Sequence, residues 1–174
     1  MKYCAFLRGI NVNGTSMKME EVRKVFEANG MIKVSSVLAT GNILFESSLS
    51  SDKLSIILKK ALSDYFRYDA NIFIKTKEEI ENIITKNPFE SNAEFHIYYF
   101  ISENGVAADL LSTFDAGKKT DGEFAELIET NFYWQIKKGL TLDSDFGKVL
   151  GKKNFKDKMT SRNLNTIEKI VNKL

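Results

Sequence analysis

The hydrophobic period changes repeatedly over residues 2–75, and that alternation constrains the fold more than any other feature of the chain. "KYCAFLR", Lys2 to Arg8, is a short run that is apolar on both faces and so reads as a strand lying centrally in a sheet. A glycine-bearing loop follows. Met19, Val22, Val25 and Phe26 then fall on one helical stripe, with Ser16 placed as the N-cap and Asn29-Gly30 as the stop. "MIKVSSVLAT" and "NILFES" read as a hairpin turning at Gly41-Asn42. "SLSSDKLSIILKKALSDYF" returns to the helical period through Leu54, Ile57, Leu58, Ala61, Leu62 and Tyr65, capped by Ser51 or Asp52, and "NIFIK" is a fourth strand. Strand-helix-strand-strand-helix-strand is the split βαβ order of a ferredoxin-like sandwich, an antiparallel sheet covered on one face by two helices.

Thr76-x-x-Glu79 is a capping box opening a helix that carries Ile80, Ile83 and Ile84 and ends at Asn87-Pro88. The element order then repeats. "AEFHIYYFIS" is a strand apolar on both faces, and "VAADLLSTFD" is a helix with Val106, Leu110, Leu111 and Phe114 along one side. "EFAELIE" and "NFYWQIKK" form a hairpin about Thr130-Asn131. A helix is expected near Asp145 to Leu150, and a last one near Asn165, where Asn165-x-x-Glu168 resembles a capping box. The expected fold class is α+β. It comprises two ferredoxin-like βαββαβ subdomains with antiparallel sheets, the second less regular. Residues 1–76 form the first, 77–92 a helical connector, and 93–174 the second, closing with a basic helix.

Composition supports a folded protein: 43% of residues are apolar and proline occurs once. Cys4 has no partner cysteine and sits in an apolar run, which fits a buried thiol and a reducing cytoplasm. No apolar run approaches the ~20 residues that a membrane-spanning helix needs. Charge is uneven. Residues 1–136 carry a net −4 and residues 137–174 a net +6, so the basic end is either a solvated lysine face or an invitation to an anionic partner.

Candidate chemistry is sparse. "RGINVNGTS" spaces Gly9 and Gly14 as a phosphate loop does, but Thr15 occupies the lysine position and an antiparallel hairpin follows. Either an anion sits at this strand-loop-helix with help from Arg8, or the glycines only permit a turn. "TSRNLNT", Thr160 to Thr166, either caps the last helix or presents Arg162 and Asn163 to a ligand. His96 is the single histidine, on a strand with Tyr98 and Phe100, where a core or interface role is expected. No nucleophile-base-orienter set and no metal-ligand set can be named, so the expectation is no catalytic residue, no metal and no cofactor. "TGNILFES" only faintly echoes an RNA-binding strand, because Ile43 and Leu44 stand where exposed aromatics are wanted.

"FLRGINVNG", "MKMEEVRKVFEANG", "VLATGNILFES", "NPF" and "TSRNLNTIEKI" together resemble an uncharacterised, mostly bacterial family, domain of unknown function sixteen-ninety-seven. The likeness spans nearly the whole chain. The family's usual "SGN" is Thr40-Gly41-Asn42 here, its second loop glycine is Asn13, and an aromatic after "RN" is Leu164. The resemblance implies two ferredoxin-like subdomains and no established activity. It marks Arg8, Gly9, Asn11, Gly41, Asn42, Arg162, Asn163 and Thr166 as signature positions. The leading expectation is a cytoplasmic binding module for an anionic small molecule, nucleotide or nucleic acid in an inter-subdomain cleft. Arg8 and Arg162 would pair with the anion and Asn11, Asn42 and Asn163 would orient it. An enzyme of unknown class using the same cleft and a structural or oligomerising protein are the alternatives, and the sequence leaves the oligomeric state open.

Overall fold

The computed structural model describes residues 1–12 and 15–174, and of residues 11, 12, 15, 16, 153 and 156 it describes the backbone alone. In chain order the elements begin with Lys2–Arg8 (β1), Asn11–Val12 (β2), Thr15–Ser16 (β3), Met19–Ala28 (α1), Ile32–Val37 (β4) and Asn42–Glu46 (β5). Ser51–Phe66 (α2), Asn71–Thr76 (β6), Lys77–Thr85 (α3), Phe95–Ser102 (β7), Val106–Ala116 (α4) and Phe124–Ile128 (β8) follow. Asn131–Lys137 (β9), Asp145–Leu150 (α5), Lys153–Lys156 (α6), Met159–Asn163 (β10) and Leu164–Lys173 (α7) complete the chain. It divides into two units, Met1–Glu81 with Glu168–Leu174, and Asn82–Ile167.

The first unit holds a four-stranded sheet in the order β4-β5-β1-β6, every pair antiparallel. The sequence dictates the central place of β1. Tyr3, Ala5 and Leu7 pack with Val22, Val25 and Phe26 of α1 and Leu54, Leu58 and Leu62 of α2, while Cys4 and Phe6 on the opposite face are buried as well. α1 ends as Asn29-Gly30 predicts. The Gly30 N–H reaches the Glu27 carbonyl and the Met31 N–H the Phe26 carbonyl, with Gly30 at φ 84°. Its start differs from expectation. Ser16 lies in β3, paired with β2, and Lys18 is the N-cap residue with no side-chain bond. The β4–β5 connection is also longer than a tight turn at Gly41-Asn42. Residues 38–41 make it, and Asn42 already belongs to β5. The chain's last residues complete this unit, where the Lys173 ammonium donates to the Ser36 carbonyl at 2.9 Å and the Lys2 ammonium to the Leu174 carbonyl. The capping box forms as read: Glu79 N–H donates to Thr76 Oγ1 at 3.2 Å and Thr76 N–H to Glu79 Oε2 at 2.7 Å.

The second unit repeats the arrangement with a sheet of order β10-β7-β9-β8, again antiparallel throughout. β7, β8, β9 and β10 take the places of β1, β4, β5 and β6, so both units are ferredoxin-like. The second is less regular because α5 and α6, both short, replace one long helix. Phe146 of α5 compensates. Its ring lies 5.1 to 6.1 Å from those of Phe100, Phe114, Phe132 and Trp134, joining α4 and α5 to the sheet. β10 was not expected as a strand. "MTSRN" has no alternating apolar pattern, yet it pairs with β7 at the sheet edge with Met159 and Thr160 buried.

The Tyr68 hydroxyl is a buried oxygen without a hydrogen-bond partner among the described residues. Burial first, and the Asp69 carboxylate second, push this phenol up to about 12. Removing the orphaned group relieves its desolvation cost, so Tyr68→Phe should stabilise the protein by about 1 kcal/mol, raising Tm by ~2–4 °C. Thermal unfolding of the variant checks this, and a fall in Tm would show that the oxygen is satisfied in solution.

Candidate functional site

In the first unit the signature residues lie around the end of β1. Arg8 is its last residue, half-buried, and pairs in register with Asn71 of β6. Strand alternation puts it on the side of Cys4 and Phe6, away from α1 and α2. The chain then makes the β2–β3 ribbon, with the Met17 N–H donating to the Ile10 carbonyl at 3.0 Å, before α1 begins at Met19. The helix therefore does not start from the glycine loop, and its N-terminal N–H groups belong to residues well beyond Gly9. The Gly14 and Asn13 positions of the loop motif, and the Asn11 side chain, lie outside the described residues.

The Thr40-Gly41-Asn42 signature has a structural account. The Gly41 carbonyl accepts from the Leu7 N–H at 2.7 Å, so the turn lies directly against β1. A Cβ on Gly41 would meet the Leu7 Cβ at 2.9 Å, and its φ of 76° disfavours any other residue. Asn42 is fully buried; its Nδ2 donates to the Val37 carbonyl at 2.9 Å and to Thr40 Oγ1 at 3.0 Å, tying the two ends of the turn together.

In the second unit Arg162 and Asn163 are neighbours in sequence but face opposite sides of the sheet. Arg162 pairs in register with Tyr99 on the side away from the aromatic core, and its Nη1 donates to Thr160 Oγ1 at 2.7 Å and to the Ser161 carbonyl at 2.8 Å. On the same side the Tyr133 hydroxyl donates to the Ile83 carbonyl and the Tyr99 hydroxyl to Asn131 Oδ1, both at 2.8 Å. Asn163 instead meets the single histidine, with its Nδ2 2.9 Å from His96 Nδ1, while its Oδ1 accepts from the Asn165 N–H at 3.0 Å. Asn163, not Asn165, thus caps the last helix. Burial, and then the Lys138 ammonium, hold the His96 imidazole below its ordinary pKa.

The second unit also holds a buried carboxylate for which the sequence carries no local signal. Glu123 is 3% exposed, accepting from Trp134 Nε1 at 3.0 Å and from the Thr120 N–H and hydroxyl at 2.9 and 3.0 Å. Three donors on one carboxylate describe a turn lock rather than an acid or base poised for transfer. Among the described residues no three His, Cys, Asp or Glu side chains gather where they could hold a metal ion. No described helix is long and apolar enough to cross a membrane.

Residues 1–133 match the model of a family described as a protein of unknown function, DUF1697. The chain belongs to that family. Among solved structures it is similar to "conserved bacterial protein SP0830 from Streptococcus pneumoniae", with 24% identity and a TM-score of 0.80 over 98% of this chain and 97% of that one. Identity at that level establishes shared fold alone. No curated protein matches. Within the matched residues Gly41 and Asn42 hold a turn; Arg162 and Asn163 lie beyond the match, at the corner between β10 and α7.

Asn42→Ala leaves the Val37 carbonyl and the Thr40 hydroxyl without their buried donor. It should cost about 1–3 kcal/mol in denaturant unfolding. A variant of undiminished stability would return Asn42 to the candidate ligand residues.

Proposed function

We propose that this chain is a binding module for an anionic ligand, with Arg162 as the recognising group. One observation carries the reading: the Arg162 guanidinium is oriented by its own strand, through Thr160 and Ser161, and is half-exposed beside Tyr99. A guanidinium held in one orientation gives up little side-chain freedom on meeting a carboxylate or phosphate, which it can bind through two parallel N–H donors. In the first unit, Arg8 lies on the sheet face away from α1 and α2. Asn42 is engaged with its own turn and Asn163 with His96 and the start of α7, so neither amide is assigned to the ligand. The structural alternative has its own support in Gly41 and Asn42, whose role as a turn lock needs no ligand.

Calorimetric titration with inorganic phosphate, a nucleoside monophosphate, a dicarboxylate and a short single-stranded oligonucleotide separates these readings. At least one should bind. Arg162→Ala should weaken that binding ~10- to 100-fold, the worth of charge-assisted hydrogen bonds, with Arg162→Lys only partly restoring it. For the oligonucleotide, affinity should also fall steeply with salt. Wild-type indifference to the whole panel, or an Arg162→Ala variant that binds as the wild type does, would overturn the proposal.

A further inference from the structure

His96 and Asn163 meet across β7 and β10 with Nδ1 and Nδ2 2.9 Å apart. An imidazole nitrogen can donate or accept and a carboxamide can be turned over, so this contact alone does not fix the roles. The backbone fixes them. The Asn165 N–H, in the first turn of α7, lies 3.0 Å from Asn163 Oδ1. A backbone N–H can only donate, so the amide oxygen faces Asn165 and the NH2 group faces the ring. His96 Nδ1 is then an acceptor, and the single ring proton sits on Nε2. An imidazolium carries a proton on both nitrogens. Its Nδ1–H would point at the Asn163 NH2, and turning the amide over would set that NH2 against the Asn165 N–H instead. Either way a donor opposes a donor where a hydrogen bond had been.

We propose that His96 and Asn163 form a proton-controlled latch on the corner between β10 and α7, closed while the imidazole is neutral and released when it is protonated. The groups around the ring are few. Lys138, the residue after β9, is the charged side chain whose field reaches it. β7 contributes Tyr98, its ring centroid 5.8 Å away, and β10 contributes the neutral Asn163 amide. α7 has no acidic residue in its first turn, so no carboxylate there can take over the cap when Asn163 lets go. Burial and Lys138 both oppose the charged ring and keep the latch closed at neutral pH. The sign follows. The closed corner holds His96 below the pKa of about 6.5 it has when released. Closure is therefore complete above that pH and weakens as pH falls from there toward the lowered value, by at most about tenfold per pH unit. The device is independent of any ligand at Arg162.

The 174-residue chain carries a single histidine, so one imidazole signal can be followed by NMR from pH 7.5 to 5 alongside hydrogen exchange of the Asn165 amide. In the wild type the protection factor of that amide should fall in step with His96 protonation. Asn163→Asp should reverse the response. A carboxylate can accept from both the Asn165 N–H and an imidazolium, so His96 should titrate above its ordinary value and protection at pH 5.5 should hold or rise. His96→Gln, whose amide oxygen can still accept from Asn163, should show pH-independent protection over the same range. The proposal is overturned if wild-type protection stays constant while His96 titrates, or if Asn163→Asp leaves the His96 pKa depressed. Should His96→Gln not fold, the wild type and Asn163→Asp decide the matter between them.

Discussion

Consecutive side chains on an extended strand leave it on opposite sides, and this rule governs what the polar residues of this protein can do together. β10 is the clearest case. Arg162 and Asn163 are adjacent in sequence, yet one lies beside Tyr99 on the face away from the aromatic core and the other meets His96 on the core side. A single pocket on one face cannot use both. The same alternation places Arg8 with Cys4 and Phe6, away from α1 and α2, while Leu7 enters the packed core. Functional hypotheses for this chain therefore have to be phrased face by face.

Much of the buried polarity is already accounted for within each unit. Asn42 closes the β4–β5 turn, and Glu123 gathers the Trp134 indole and Thr120. Buried polar groups that are fully bonded hold one conformation against its competitors, because breaking any one bond exposes a desolvated partner. Signature residues in a family are easily mistaken for a ligand site when they serve this purpose. Gly41 illustrates it: a side chain there would collide with Leu7, so the position is fixed by contact with a neighbouring strand.

The sequence carried the architecture well where period and capping chemistry agree. The doubly apolar "KYCAFLR" and "FHIYYFI" runs are the central strands β1 and β7, and the Thr76–Glu79 box opens α3. It failed where tertiary context alone decides. β10 is a polar edge strand, recognisable only through its pairing with β7, and Ser16 has the chemistry of an N-cap but lies in a ribbon before the helix. The His96–Asn163 pair joins residues far apart in the chain through a register that no local pattern announces. The sequence did offer "TSRNLNT" as a cap for the last helix, and Asn163 is the residue of it that accepts from the Asn165 N–H.

The division of α7 between the two units has a consequence for the protein's modularity. Glu168–Leu174 belongs with Met1–Glu81, although the whole of the second sheet intervenes in the chain. Cut after Glu81, the amino-terminal part would lack the segment whose Lys173 reaches Ser36. Residues on either side of the second unit in the chain thus pack into one module, so the first unit is discontinuous in sequence.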